Sequence, residues 1–501
     1  MTSRRSALLL ALAGAGLFVA ALDAYVVVTL LPAMSGDVGV TIENFEQATP
    51  IVTGFLAGYV VAMPLLGAYS DARGRIVVYV ACLGAFALGS ALTATAGLWS
   101  FAGLAWLVAG RFVQGLGGGG LVPLALALAA DLYGGRARTV ALGSVAALQE
   151  AGSVLGPLYG ATLAAAAAGA GAWRFVFWFN LPLAALCAAG VVATSRTARA
   201  SAPRASSVDW LGAAMLGGGL GGLVFALYPD DPEHRAVNAL FIPAGAVAVI
   251  LLGGYAWRQV RQLEPLIPRE LLHSRAFAGV TFANVLIGAA LIVTLVDVPI
   301  VGRLVFNLGA LDSGLFLTQF LVGVPFGAVA GGLLASRAGN RATGAAGVIV
   351  SALAFAQMST WSANELALRV GPIKQADIAL AACGLGFGLV IAPLTAAVLA
   401  LTRGSSHGLA TSLVVLARTM GMLLGLSALT AFGLYRFHQI LGTPVVNDPD
   451  LRTRVKHLEA LIAAAFLQEY REIFVMAAAL CALAAVVIAW SLRPARTSGG
   501  T

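Results

Sequence analysis

The chain has 501 residues, of which 59% are hydrophobic and only 10% charged, with a formal net charge of +8 and a mean hydropathy of +0.90. Water-soluble domains carry about 25% charged residues, so the composition excludes a soluble, secreted or disordered protein and points to a polytopic membrane protein. The positive charge, which on a soluble protein would suggest nucleic acid, carries its information here in where it falls, and no nucleic-acid partner is expected.

A membrane-crossing helix needs about 20 mostly apolar residues. Such segments are predicted at 7–34, 47–69, 76–97, 99–130, 139–168, 175–195, 208–228, 237–260, 276–304, 311–336, 343–361, 376–402, 407–440 and 468–492, fourteen spans in all. The first follows Arg4 and Arg5 in the manner of a signal peptide, but no A-x-A type cleavage site precedes a polar mature region and the chain runs straight on into more spans, so it reads as an uncleaved helix. Arginines then recur at alternate loops: Arg73 and Arg75, Arg136 and Arg138, Arg258 and Arg261, Arg337 and Arg341, Arg493 and Arg496. Basic residues collect on the cytoplasmic side, so both termini are placed inside. The spans divide as six, two and six: an N-terminal bundle at 1–195, a central two-helix insert with flanking loops at 196–275, and a C-terminal bundle at 276–501.

Charged side chains inside spans are expensive and mark function. Asp23 lies in span 1, about 24 Å along it at 1.5 Å per residue. The turn after span 2 reads Gly67, Asp71, Arg73, Gly74, Arg75, a carboxylate and two guanidiniums spaced to close the inner side and release it when helices rock. Span 4 carries Arg111 and Gln114, then four consecutive glycines at 117–120 and Pro123, a weak helix expected to deform or to leave a lateral gap toward lipid. Span 5 carries Glu150, followed by Gly152, Gly156 and Gly160 at fourfold spacing and Pro157, a smooth, kinked helix suited to a gate. Asp297 sits near the outer end of span 9. Gly332 to Arg341 faintly repeats Gly67 to Arg75 at the matching point of the second half, with Ser336 and Asn340 weakening its charge cluster. Arg418 in span 13 is the expected counter-charge to Glu150 or Asp23. After it, Leu451, Val455, Leu458, Ile462 and Phe466 recur at helical spacing. The last helix is therefore expected to run from about 450 to 492, roughly 60 Å, twice the roughly 30 Å hydrocarbon core, so that the hairpin of spans 13 and 14 projects outward; the alternative is an amphipathic helix lying on the headgroups.

A carboxyl in a low-dielectric interior can load and release a proton near neutral pH. Asp23 and Glu150 are the proton-coupling candidates, with Arg418 and Arg111 beside them. His234, His273, His407, His438 and His457 fall at span ends or in loops and read as solvated surface. The chain has no G-x-x-x-x-G-K-[ST] and only two lysines, Lys374 and Lys456, so an ion gradient is the expected energy source and no cofactor is implied. Cys82, Cys187, Cys383 and Cys481 stand singly in apolar runs, without disulfide or metal spacing. No nucleophile elbow, His-rich metal cluster or loop carboxylate pair suggests an enzyme.

The Gly67–Arg75 loop, Arg111-Phe-Val-Gln114-Gly115 and Gly152–Gly160 together resemble the loop 2–3, helix 4 and helix 5 motifs of the major facilitator superfamily. Leu22-Asp23 through Pro32, and Trp173-Arg174 through Asn180-Leu-Pro182, are similar to its fourteen-helix drug:proton antiporters of the EmrB and QacA type. Asp23-Ala-Tyr-Val-Val-Val-Thr, Gln149 through Gly160, Val293-Thr-Leu-Val-Asp297 and Gly433-Leu-Tyr-Arg-Phe437 look like the mycobacterial exporters encoded beside a lipid-carrying lipoprotein. The resemblance implies an all-α major facilitator fold and a monomeric, proton-coupled, alternating-access exporter in the cytoplasmic membrane. Its substrates would be triacylglyceride-like lipids and hydrophobic small molecules, its outer-side partner a lipid-carrying lipoprotein, and the 451–466 apolar stripe an outer lipid guide. The rival readings are a multidrug:proton antiporter with no physiological lipid, and a passive scramblase.

Overall fold

A computed structural model describes residues 3–39, 49–99, 103–167, 171–195, 209–227, 237–262, 267, 269–308, 312, 315–401, 407–441 and 451–492. The chain is helical almost throughout, as lipid demands: with no water to satisfy backbone N–H and C=O groups, an apolar segment must bond to itself. The long helices are α1 (Ser3–Asp37), α2 (Thr49–Arg73), α3 (Arg75–Thr95), α4 (Leu104–Leu132), α5 (Gly135–Ala167), α6 (Trp173–Ser195), α7 (Trp210–Leu227) and α8 (Phe241–Arg261). They continue as α9 (Arg275–Leu304), α10 (Thr318–Ala338), α11 (Asn340–Met358), α12 (Gln375–Leu399), α13 (His407–Leu441) and α14 (Leu451–Ser491).

Among the described residues, 12 helices are long and apolar enough to cross a membrane. The two long helices outside that number are α5, which carries Arg136, Arg138, Gln149 and Glu150, and α7, whose apolar part is Leu211–Leu227. The fourteen-span expectation is thus met at twelve positions by length and hydropathy alone. Boundaries also move: α4 starts at Leu104 rather than 99, and α10 at Thr318 rather than 311. A two-stranded hairpin that the sequence did not suggest, β1 (Arg369–Val370) with β2 (Ile373–Lys374), turns at Gly371 ahead of α12 and pairs Arg369 with Lys374.

Packing repeats between the first and last sets of helices. α2 lies against α4, and α10 lies against α12. Both contacts are backbone to backbone. A Cβ on Gly58 would meet Phe112 O at 2.2 Å and one on Gly119 would meet Tyr59 O at 2.2 Å; in the second pair, Gly327 faces Leu385 O at 2.3 Å and Gly388 faces Val324 O at 2.1 Å. Without a hydrophobic drive between helices in lipid, such close approach supplies the dispersion contact that holds them. The glycines at 117–120 are all buried, and Gly117, Gly119 and Gly120 press on α3 and α2. The expected lateral gap in α4 is therefore absent; the weak helix is held by its neighbours.

The two sets meet through α5 on α10, α2 on α13 and α4 on α13. At the first of these, Gly143 and Gly332 approach backbone to backbone: a Cβ on Gly143 would lie 2.6 Å from Ala328 O. α7 and α8 pair with each other and α7 leans on α2. Asp209 caps α7 by accepting from Gly212 N at 2.9 Å and receives Arg258 of α8 at 2.8 Å. α13 and α14 have 35 and 41 residues. At 1.5 Å per residue α14 is about 60 Å long. Phe466 stacks on Phe437 of α13 at 4.3 Å and on Tyr470 at 6.2 Å. Leu451, Val455, Leu458 and Ile462 lie on the helical backbone of α14; their side chains, and the 442–450 connection, lie outside the described residues.

Candidate functional site

The midpoint of the first six helices holds a closed polar network in an apolar surround. Asp23 of α1 is fully buried (0% exposed), as is Gln114, and Arg111 is 1% exposed. One Asp23 oxygen accepts from Arg111 at 2.8 Å and the other from Asn180 of α6 at 2.6 Å. The same Arg111 nitrogen reaches Gln114 Oε1 at 2.6 Å, Gln114 donates to Ser90 Oγ of α3 at 2.8 Å, and Tyr159 of α5 donates to Asn180 at 3.4 Å. Four helices besides α1 therefore contribute. The guanidinium lies 4.4 Å from the Phe55 ring centre and 5.8 Å from that of Phe177, and ring faces attract a desolvated cation. Its Nε has no hydrogen-bond partner. A buried pair of this kind persists only where added hydrogen bonds satisfy the remaining lone pairs, and Asn180 and Gln114 supply them.

Glu150 of α5 stands apart from this network. Its nearest charge is Arg418 of α13, at 3.5 Å, and the two side chains are 20% and 12% exposed. The pair joins a helix of the first set to one of the last. Arg418 is therefore a counter-charge to Glu150, whereas the Asp23 cation is Arg111; the sequence had left the choice open. Gly152, two residues beyond Glu150, presses on α1 at Phe18 O and Leu22 N, beside Asp23. Its contact is within the first six helices rather than between the sets. Gly156 and Gly160 are buried too, and the Pro157 side chain lies outside the described residues.

At the α2–α3 turn the motif residues assemble around Arg75. Arg75 pairs with Asp71 at 2.7 Å, with Asp131 at the end of α4, and contacts Ser70 Oγ at 3.4 Å; Ser70 in turn donates to Gly67 O at 2.8 Å. Gly74 supplies a turn at φ 98°, which a side chain would strain. Arg73 points outward and is exposed. Asp131 also bonds His407 Nδ1 at 2.9 Å, and Thr411 donates to Pro123 O at 3.0 Å. Those two contacts tie α13 to α4. His407, read from sequence as solvated surface, is 4% exposed and built into this cluster: its position at a helix start hid that the start is docked on another helix.

At the opposite end of α1, Asp37 accepts from Trp173 Nε1 at 2.9 Å and from Arg174 at 2.5 Å, and Arg174 reaches Ala96 O at 2.8 Å. This latch fixes the α1–α6 contact that brings Asn180 to Asp23. Among the described residues no salt bridge joins Asp297 of α9 to a cation. Glu469 of α14 acts on it electrostatically, is 6% exposed, and has one oxygen, Oε2, without a partner. Sequence reading missed Ser90, Asn180, Asp131 and Glu469. Asn180 carried a signal in its Asn-Leu-Pro context; Ser90 is one hydroxyl in an apolar run and carried none. No group of three His, Cys, Asp or Glu is placed to hold a metal among the described residues.

A sequence model described as the Major Facilitator Superfamily matches residues 13–426. A triacylglyceride transporter of Mycolicibacterium smegmatis is 38% identical over 483 residues, covering 93% of this chain and 84% of that protein. A triacylglyceride transporter of Mycobacterium tuberculosis is 39% identical over 482 residues, covering 93% of this chain and 91% of that protein. Among solved structures, the human organic anion transporter MFSD10 superposes with a TM-score of 0.60 at 18% identity, covering 95% of this chain and 99% of that one. The Escherichia coli fucose:proton symporter FucP superposes with a TM-score of 0.56 at 14% identity, covering 94% and 98%. The two solved structures speak to the fold alone.

Proposed function

The chain belongs to the major facilitator superfamily, a multi-pass membrane transporter and not an enzyme, and from that premise we propose that it exports triacylglyceride-like lipids and other hydrophobic molecules from the cytoplasmic membrane by proton-coupled alternating access. The lipid substrate rests on relatives named triacylglyceride transporters over nearly their whole length. Coupling rests on one observation above all: Glu150 and Arg418 face each other at 3.5 Å across α5 and α13. That separation is long for a charge-assisted hydrogen bond, so the pair holds mainly by charge. A proton on Glu150 cancels the attraction and frees the two helix sets to rock. A proton on Asp23 likewise releases Arg111 within the first set. Protons enter from outside, favour return of the empty carrier, and leave inside.

In this reading both termini are cytoplasmic and the helices divide as six, two and six, with α7 and α8 as the central pair. The Arg75, Asp71, Asp131 and His407 cluster closes the cytoplasmic side in the conformation described, Gly67 and Gly74 shape its turn, and Gly143 of α5, pressed on α10, lies on the surface along which the two sets move. The long α13–α14 hairpin projects outward and guides lipid toward a lipid-carrying lipoprotein, and the transporter works as a monomer driven by the proton motive force without a cofactor.

The test is transport by the purified chain in proteoliposomes under an imposed pH gradient. Asp23→Asn and Glu150→Gln should each abolish gradient-driven lipid movement. Unchanged transport and unchanged pH dependence in both variants would remove the coupling proposal, and transport indifferent to gradient collapse would indicate a scramblase. Asp131→Asn should weaken cytoplasmic closure, read as increased accessibility of a cysteine placed on α13 near Thr411.

A further inference from the structure

A groove of about 500 Å³ opens between the first turns of α1 and the first half of α5. Leu10 and Ala11 form one wall; Val140, Ala141 and Leu148 form the other, and Ser144 and Tyr133 are the two hydroxyl-bearing residues of the lining. Its lining along α5 runs from Ala137 to Leu148, about 16 Å at 1.5 Å per residue. That is close to half of the roughly 30 Å hydrocarbon core, the depth of a single leaflet. The volume lies in the range of small-molecule sites, about 300–1,000 Å³.

The helix starts that flank the groove are basic. Arg4 and Arg5 precede Ala7 by less than one turn on α1, and Arg136 adjoins Ala137 on α5; all three are exposed, and no carboxylate pairs with them among the described residues. Arg138 is anchored beside them by donating to Tyr133 O at 3.2 Å. Neither wall offers a compensating acid: α1 has none before Asp23 and α5 none before Glu150. Asp131, the acid nearest in sequence to Tyr133, is taken by Arg75 and His407. An apolar slot one leaflet deep, with exposed arginines on the first turns of both helices that wall it, matches a molecule with a hydrocarbon tail and a phosphate at its end.

We propose that this groove is a lipid site that holds one acyl chain of an anionic glycerophospholipid, with its phosphate on Arg4, Arg5 and Arg136. On the orientation proposed above, that lipid belongs to the cytoplasmic leaflet. A triacylglyceride has no phosphate and leaves the arginines without a role, so this site is distinct from one for the transported lipid.

Native mass spectrometry of the full-length protein, released from nanodiscs containing equal phosphatidylglycerol and phosphatidylcholine, tests the proposal without any transport step. It therefore stands or falls independently of proton coupling. The wild-type protein should retain one phosphatidylglycerol in at least tenfold preference to phosphatidylcholine. Arg4→Gln, Arg5→Gln and Arg136→Gln together should erase that preference. Ala11→Trp, at an exposed position where the indole fills the slot, should abolish retention of the tightly held lipid; Ala141→Leu serves as the second filling variant should the first fold poorly, with melting temperature as the check. Equal retention of both lipids by the wild-type protein, or retention untouched by the filling variants, would overturn the assignment.

Discussion

Between α2 and α3 the chain turns at Gly74 with φ 98°, and between α10 and α11 it turns at Gly339 with φ 85°. Each glycine stands seven residues after another, Gly67 and Gly332, in the two copies of the faint repeat. The α2–α4 and α10–α12 contacts are likewise built on glycines pressed against carbonyls. The two regions share a backbone and differ in chemistry. Where the first copy has Asp71 and Arg75, the second has Ser336, whose hydroxyl donates to Leu333 O, and Asn340. Where the first six helices surround Asp23 with Arg111, Asn180 and Gln114, the last six bury Glu469 near Asp297 with Oε2 unpartnered. Duplicated packing is therefore separable from duplicated charge: the scaffold needs both copies of the glycine contacts, while the paired Asp23–Arg111 charge network stands on one side.

The largest break in that comparison comes from Arg111. Arg111→Gln leaves the Asp23 carboxylate buried without a cation, and removal of one partner of a buried pair costs about 3–5 kcal/mol. The melting temperature in detergent should collapse, and Asp23→Asn added to it should recover most of the loss. Arg418→Gln should cost far less, about 1 kcal/mol or under, because the Glu150 pair is longer and partly wet. Equal losses for the two arginines would erase the distinction between the networks.

Second in size are the shared contacts. Gly58→Ala and Gly327→Ala each force a methyl into a carbonyl, at 2.2 Å and 2.3 Å. Overpacking typically costs about 1–3 kcal/mol, so both variants should lose thermal stability by similar amounts. A large loss at one position only would show that the two packings are not equivalent.

Much of this was legible before any coordinates. Hydropathy located each long helix, though with starts off by up to seven residues, because in lipid an apolar stretch has few alternatives to a helix. Asp23, Arg111, Gln114, Glu150 and Arg418 stood out because charge in a span is rare and costly. Which cation belongs to which acid was not legible, since α1, α4, α5 and α13 meet only through tertiary packing. Ser90 and Asn180 are ordinary residues until α3 and α6 bring them to Asp23. The four glycines at 117–120 misled for a related reason. Propensity marks them as weak helix, but close packing against α2 and α3 is what small residues in a membrane bundle are for.

A smaller effect of opposite sign is expected at Glu469. Its Oε2 is buried without a hydrogen-bond partner, and its Oε1 lies where a Cβ on Gly433 would be at 2.4 Å. An unsatisfied buried polar atom costs about 1–3 kcal/mol, more when charged. Glu469→Gln keeps the shape and removes the charge near Asp297, so the protein should melt higher than wild type. A fall in melting temperature would mean that the carboxylate is held by an interaction with the second set of helices comparable to that of Asp23 with the first.

The smallest effect lies outside both sets, at the start of α7. Burial works to raise the Asp209 pKa, but hydrogen bonds from Arg258 and from Gly212 N–H, with the Arg258 charge, hold it below the ordinary carboxylate range. A carboxyl with a lowered folded pKa adds stability that is present above its unfolded pKa, about 3.9 for Asp, and that is lost as pH falls through the folded value. Asp209→Ala removes a helix cap and one partner of a half-exposed pair, together worth about 1–2 kcal/mol. The difference in melting temperature between wild type and Asp209→Ala should therefore be constant from neutral pH down to about pH 5 and shrink only as the pH drops below about 4. A difference that persists undiminished at pH 3 would assign the stabilisation to packing of the α7 start rather than to the carboxylate.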